Sequence, residues 1–257
     1  VEHSFIDQYS NLDSLIHKLD PRTKLVATIA FILAVVVTPV TEWPAFVGYS
    51  LFISVLTLVS RLPLLYVLKR VLLIIPFVLL IGVFNIFRPG EPLATLHLWH
   101  WQLSITHEGL LVFWNVSAKA IISSLALILL SSTTRFTNLL RGLQTLRMPK
   151  VLVMTLSFAY RYIFVLIDEA MRMWRARESR NFGGRWIWQI RTIGNMIGTL
   201  FIRSYERGER VYAAMLSRGY EGQVRGIDSL SFTPVDACFT AVAVLFLAST
   251  CVLVVLW

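Results

Sequence analysis

Val151-Leu-Val-Met-Thr-Leu-Ser-Phe-Ala-Tyr-Arg-Tyr-Ile-Phe-Val-Leu-Ile167 is an apolar run close to the length a helix needs to cross a bilayer, and whether it crosses decides the topology of the whole chain. If it crosses, the arginine-rich region after Asp168 lies on the opposite side from the basic segment Arg135 to Lys150, and one of the two violates the positive-inside bias. If it does not cross, the cations sort cleanly. Lys18, Arg22, Lys24, Arg61, Lys69, Arg70, Arg135, Arg141, Arg147, Lys150 and the basic residues from 161 to 225 then share the inner side, and the outer segments hold only Arg88. Arg161 in the middle of the run adds to the case, because a central Arg costs about 2.5 kcal/mol or more on insertion scales. The run is therefore expected not to cross.

Working outward, five other apolar runs have the length of spans: Leu25 to Val40, Pro44 to Val59, Val71 to Phe87, Gly109 to Ser131 and Val235 to Leu256. The composition agrees, since 56% of the 257 residues are hydrophobic, 15% are charged and the mean hydropathy is +0.67. The formal charge of +9 reports which segments stay in the cytosol rather than a nucleic-acid partner. The predicted fold is an all-α membrane protein, multi-pass, with its N-terminus cytosolic. It divides into transmembrane helices 1 to 4 (residues 1–134), a cytosolic module of long amphipathic helices (135–232) and a C-terminal transmembrane helix (233–257). Asp20-Pro21 reads as an N-cap followed by proline at the first helical position. Pro76 is expected to kink the third span, and Trp43, Trp99, Trp101 and Trp257 fall where interfacial aromatics belong. Cys238 and Cys251 lie about 20 Å apart on one helix and cannot pair with each other.

The cytosolic region carries eleven Arg and five Glu between Glu169 and Arg225, and no Lys. Lysine would serve for solubility, whereas arginine suits a planar fork that grips carboxylates or backbone at an interface. Two amphipathic helices are predicted, one from Pro149 to Arg180 and one from Ile190 onward, bent near Gly208. Each ends in a similar stretch: Arg172-Met-Trp-Arg-Ala-Arg-Glu-Ser-Arg-Asn-Phe-Gly-Gly184 and Arg210-Val-Tyr-Ala-Ala-Met-Leu-Ser-Arg-Gly-Tyr-Glu-Gly222. Asn181 and Gly219 are the residue types that most readily take the left-handed conformation after a helix, so Arg180 and Arg218 are expected at the helix tips. A rigid helix tipped by a guanidinium suits an acidic groove.

The doubled element Ser179-Arg180-Asn181 and Ser217-Arg218-Gly219 resembles the two signature motifs of the T component of energy-coupling factor (ECF) transporters. The opening Leu19-Asp-Pro-Arg-Thr-Lys-Leu25, the Pro76-Phe77 pair and Ser204-Tyr-Glu-Arg-Gly-Glu-Arg-Val-Tyr-Ala-Ala-Met-Leu-Ser-Arg-Gly-Tyr220 are similar to the same family, most of all to its cobalt-transport branch, CbiQ. Asn181 departs from the expected Gly, and Ser179 and Ser217 from the commoner Ala. The resemblance implies a non-catalytic membrane subunit joining two cytosolic ABC ATPases to a substrate-capturing S component, with a small accessory membrane subunit as a further partner. ATP and Mg would bind in the ATPases, and this chain would hold no cofactor. The motif residues would seat in the ATPases, with Arg172, Glu206, Arg207 and Arg210 supporting the coupling helices. The cargo implied is cobalt, with nickel or a vitamin as alternatives.

Other classes fare less well. No Gly-x-x-x-x-Gly-Lys loop, His-Glu-x-x-His pair or serine elbow occurs. An intramembrane enzyme would need convergent groups within the spans, where Lys119 is read as the one charge; it and Arg161 are expected in structural ion pairs or snorkelling. An Arg-rich tether for RNA would want aromatic platforms and flexible Arg-Gly tracts, which are lacking. His97, His100 and His107 form no closed ligand set, and Leu96 to Thr106 alternates like an interfacial hairpin.

Overall fold

A computed structural model describes Ser10 and residues 12–86, 92–98, 101–180, 186–221 and 232–256. Their helices are α1 (Pro21–Val37), α2 (Trp43–Val59), α3 (Leu64–Ile86), α4 (His107–Thr133), α5 (Phe136–Thr145), α6 (Lys150–Glu178), α7 (Trp186–Leu216) and α8 (Pro234–Leu256). A short hairpin of β1 (Pro92–Leu98) and β2 (Trp101–Thr106) precedes α4, with His97 opposite Gln102 and Leu98 opposite Trp101. It falls where the alternation of residues 96–106 places it. The molecule is thus a helical membrane protein with one small hairpin. The helices form two compact units: α1 to α4, most of α5 and α8 in one, α6 and α7 in the other, with the division after Gly142.

In the first unit the caps follow from local sequence. The Asp20 side chain accepts the Arg22 N–H at 2.8 Å and Pro21 opens α1, so two of the four orphan N–H groups of a helix start need no further partner. Pro44 occupies the first turn of α2 in the same way. The span expected from Val71 lies inside a longer helix: α3 begins at Leu64, with the apolar residues 64–68 and then Lys69 and Arg70 preceding the run. Arg70 lies over the Tyr66 ring at 4.6 Å and donates to Ser131 Oγ at 3.3 Å, keeping its charge at the helix end. The helix also runs on through Pro76.

The core of this unit lies between α1, α2, α4 and α8. Tyr49 is only 2% exposed; its hydroxyl meets Thr38 Oγ1 at 3.2 Å and its ring meets Phe31 and Phe246 edge-on at 5.6 and 6.0 Å. Phe52 stacks on Phe246 at 4.3 Å. Lipid is as apolar as leucine, so such helices are held by close packing and hydrogen bonds rather than by burial from water. Outward, Leu33, Val37, Leu51, Leu73, Leu80 and Leu245 are exposed, as lipid-facing side chains are. Lys119 donates to the Val36 carbonyl at 2.8 Å, satisfying one open carbonyl at the end of α1. Of the two expectations for Lys119, an ion pair or snorkelling, the ion pair is absent among the described residues.

Among the described residues, Gly109–Thr133, Lys150–Glu178 and Pro234–Leu253 are long and apolar enough to cross a membrane, and Trp43–Val59 is a shorter apolar helix. The disputed run forms the first part of α6, so length and apolarity alone would admit it as a span. Only the charge distribution argues against crossing.

Candidate functional site

The ends of α6 and α7 are built alike. After α6, the Ser179 N–H reaches the Arg175 carbonyl at 3.0 Å, the Arg180 N–H reaches that of Arg177 at 3.3 Å, and Ser179 Oγ donates to Ala176 at 3.0 Å. After α7, the Ser217 N–H reaches Ala213 at 3.0 Å, the Arg218 N–H reaches Met215 at 3.0 Å, and Ser217 Oγ donates to Ala214 at 3.0 Å. Each serine thus satisfies a terminal carbonyl in the same register, three residues back. Regular helix ends at Glu178 and Leu216, so both arginines stand in a tightened last turn, two residues beyond the regular helix.

Gly219 closes the second end. Its φ is +75°, its N–H bonds the Leu216 carbonyl at 3.0 Å, and the Tyr220 N–H bonds that of Met215 at 3.1 Å. That pair of bonds is a Schellman cap, which needs a left-handed residue at this position. Nothing lies within 4 Å of a Cβ added there, so backbone conformation alone makes this a glycine position. The corresponding Asn181 lies outside the described residues.

The two helices are antiparallel. Glu169 of α6 pairs with Arg172 at 2.6 Å on its own helix and with Arg203 of α7, while the Tyr220 hydroxyl approaches Met154 Sδ near the start of α6. The two guanidiniums hold the Glu169 carboxyl below the usual carboxylate range, chiefly through their hydrogen bonds. Since the α7 tip lies beside Met154, Arg180 is about seven helical turns away along α6, roughly 40 Å. The repeated ends therefore stand at opposite ends of one helix pair. Arg172, Arg207 and Arg210 line the groove between the helices, and Arg210 pairs weakly with Glu206 at 3.8 Å.

The first unit holds a polar cluster that motif reading passed over. Asp236, fully buried, accepts from the Asp20 N–H at 2.7 Å, from the Thr233 N–H at 2.8 Å and from Thr233 Oγ1 at 2.6 Å. Lys24, 5% exposed, donates to the carbonyls of His17 and Thr133 at 3.1 Å each and to Thr134 Oγ1 at 3.4 Å. One turn, Leu19 to Lys24, thus grips the chain where it leaves α4 and where it enters α8. The reading of Lys119 as the one charge within the spans is corrected here, because Asp236 lies inside the run Val235 to Leu256. An acid among apolar residues was the available signal. Among the described residues no three His, Cys, Asp or Glu side chains gather as a metal site would require; His97 and His107 fall in β1 and at the first residue of α4, and His100 lies outside the described residues.

Fold and site together define a class: a helical membrane protein that carries a separate antiparallel helix pair with matching arginine-bearing ends. Residues 13–228 match the family described as cobalt transport protein, CbiQ. The chain belongs to this family. The energy-coupling factor transporter transmembrane protein EcfT of Ruminiclostridium cellulolyticum is 30% identical over 94% of this chain and 94% of its own length. An uncharacterized protein of Methanocaldococcus jannaschii is 29% identical over 95% of this chain and 87% of its own. A protein of Methanocorpusculum labreanum named as a fused cobalt transport protein, CbiMQ, is 30% identical over 77% of this chain and 34% of its own.

Proposed function

We propose that this chain is the T component of an ECF-type importer in a bacterial or archaeal plasma membrane, coupling two cytosolic ATPases to a substrate-binding S component. The observation that carries this reading is the pair of matching helix ends, Ser179-Arg180 and Ser217-Arg218-Gly219, about 40 Å apart on one helix pair. Two like plugs so separated suit two like sockets, one on each protomer of an ATPase dimer. In each, an exposed arginine follows helix carbonyls already satisfied by serine and backbone donors, and its guanidinium offers five N–H groups to an acidic groove. ATP-driven closure would move the sockets, and the helix pair would pass that motion on to the S component. Catalysis resides in the ATPases, where ATP and Mg bind, and this chain is non-catalytic.

Five spans, α1 to α4 and α8, with a cytosolic N-terminus, follow from the cation distribution. Cobalt is the cargo assigned, supported by the family's description and by the fused CbiMQ relative. The test is co-purification of the assembled complex. Arg218→Glu should weaken ATPase retention and the double change with Arg180→Glu should abolish it, with the chain still inserted in the membrane. Full ATP-dependent cobalt uptake by the double variant would overturn the assignment. A cysteine at Ser179 should react with impermeant reagents from the cytosolic side only; labelling from outside would overturn the five-span topology.

A further inference from the structure

The open groove between α6 and α7 offers about 470 Å³ and has two chemical zones. Leu166 of α6 and Leu200 and Val211 of α7 line its apolar part. Around them stand four guanidiniums, Arg172, Arg203, Arg207 and Arg210, against one lining carboxylate, Glu169, which Arg172 and Arg203 already share. Glu206, outside the lining, meets Arg210 only at 3.8 Å, and Arg207 has no carboxylate partner among the described residues. Like charges gathered in one groove repel, and an anion that reaches several of them at once relieves that repulsion. Arginine forks match a phosphate in geometry.

The ligand must also tolerate leucine and valine, which a bare inorganic anion does not need. The same helices expose large apolar side chains elsewhere: Phe201 is 70% and Ile202 59% exposed, and Ile163 and Ile167 are also open. Helices with such faces lie in a membrane interface. There the prevailing anionic amphiphile is the phospholipid itself.

We propose that this groove binds one anionic phospholipid, its phosphate held by Arg203, Arg207 and Arg210 and its acyl region against Leu166, Leu200 and Val211. The site would fasten the helix pair to the membrane surface and would make it respond to lipid charge. This goes beyond the coupling assignment and does not depend on ATPases binding.

The test uses the full chain without ATPases, equilibrated in vesicles of equal parts phosphatidylcholine and phosphatidylglycerol and then released for native mass spectrometry. The wild type should retain phosphatidylglycerol over phosphatidylcholine. A guanidinium near the surface contributes about fivefold, so Arg207→Gln with Arg210→Gln should cut retention roughly twenty-five-fold. Arg191→Gln, outside the groove lining, should leave it unchanged. The double change to Lys, which keeps charge but loses the fork, should fall between, and thermal unfolding should report each variant as folded. Equal retention of the two lipids, undiminished retention by the glutamine variant, or full displacement by inorganic phosphate alone would overturn the proposal. So would a glutamine variant that sheds the ATPases from the assembled complex while holding lipid normally, which would assign the groove to a protein partner.

Discussion

Replacing Asp236 by alanine removes a carboxylate that holds the starts of α1 and α8 together. Three donors lose their acceptor: the N–H groups of Asp20 and Thr233 at 2.7 and 2.8 Å, and the Thr233 hydroxyl at 2.6 Å. The hydroxyl can rotate toward a carbonyl, but the two amides cannot turn away. Each stranded buried amide costs about 1 to 3 kcal/mol, so the expected loss is about 2 to 6 kcal/mol. Lys24, which reaches two carbonyls and a hydroxyl near the same turn, also loses a neighbouring negative charge. Asp236→Asn keeps one acceptor oxygen and should cost about half as much. The assay is reversible unfolding of the full chain in detergent, read against wild type with the intact aromatic cluster as reporter. A loss below about 1 kcal/mol for the alanine variant would refute the reasoning, since a single unsatisfied amide already amounts to that.

Two further outcomes follow from the helix pair. Gly219→Ala meets no neighbouring atom but forces a side chain onto φ +75°, at about 1 to 2 kcal/mol; the α7 end should fray, seen as faster amide exchange at Gly219 and Tyr220, while exchange in α2 stays unchanged. The Glu169 carboxyl is held below its ordinary value of 4.5, so its contribution to α6–α7 pairing is fully present above that value and is lost as pH falls through its lowered one. Spin labels on α6 and α7 should keep one distance from neutral pH down to about 5 and broaden only in stronger acid; Glu169→Gln should remove this pH dependence, and broadening near neutrality would contradict the assignment.

Much of the membrane architecture could be read locally. Asp20-Pro21 starts a helix because a carboxylate and a fixed φ act within a few residues, and the structure caps α1 as expected. Gly219 ends α7 in the left-handed conformation for an equally local reason. The helix α3 extends beyond the expected span because Lys69 and Arg70 interrupt the apolar run without interrupting helical hydrogen bonding, both being good helix formers. One long helix was expected through Gly208, and α7 runs Trp186–Leu216 without a break, since a lone glycine costs a helix only about 1 kcal/mol.

What the chain determined by itself was therefore periodicity, apolar length, helix ends and charge placement, all properties of residues within a few turns of one another. Only tertiary structure decided that Asp236 meets the amide of Asp20, that Lys24 closes on Thr133, and that Glu169 reaches across to Arg203. The physical reason is distance along the chain: a buried carboxylate or ammonium needs partners, but nothing in its neighbours in sequence says which remote donor or acceptor folding will bring to it.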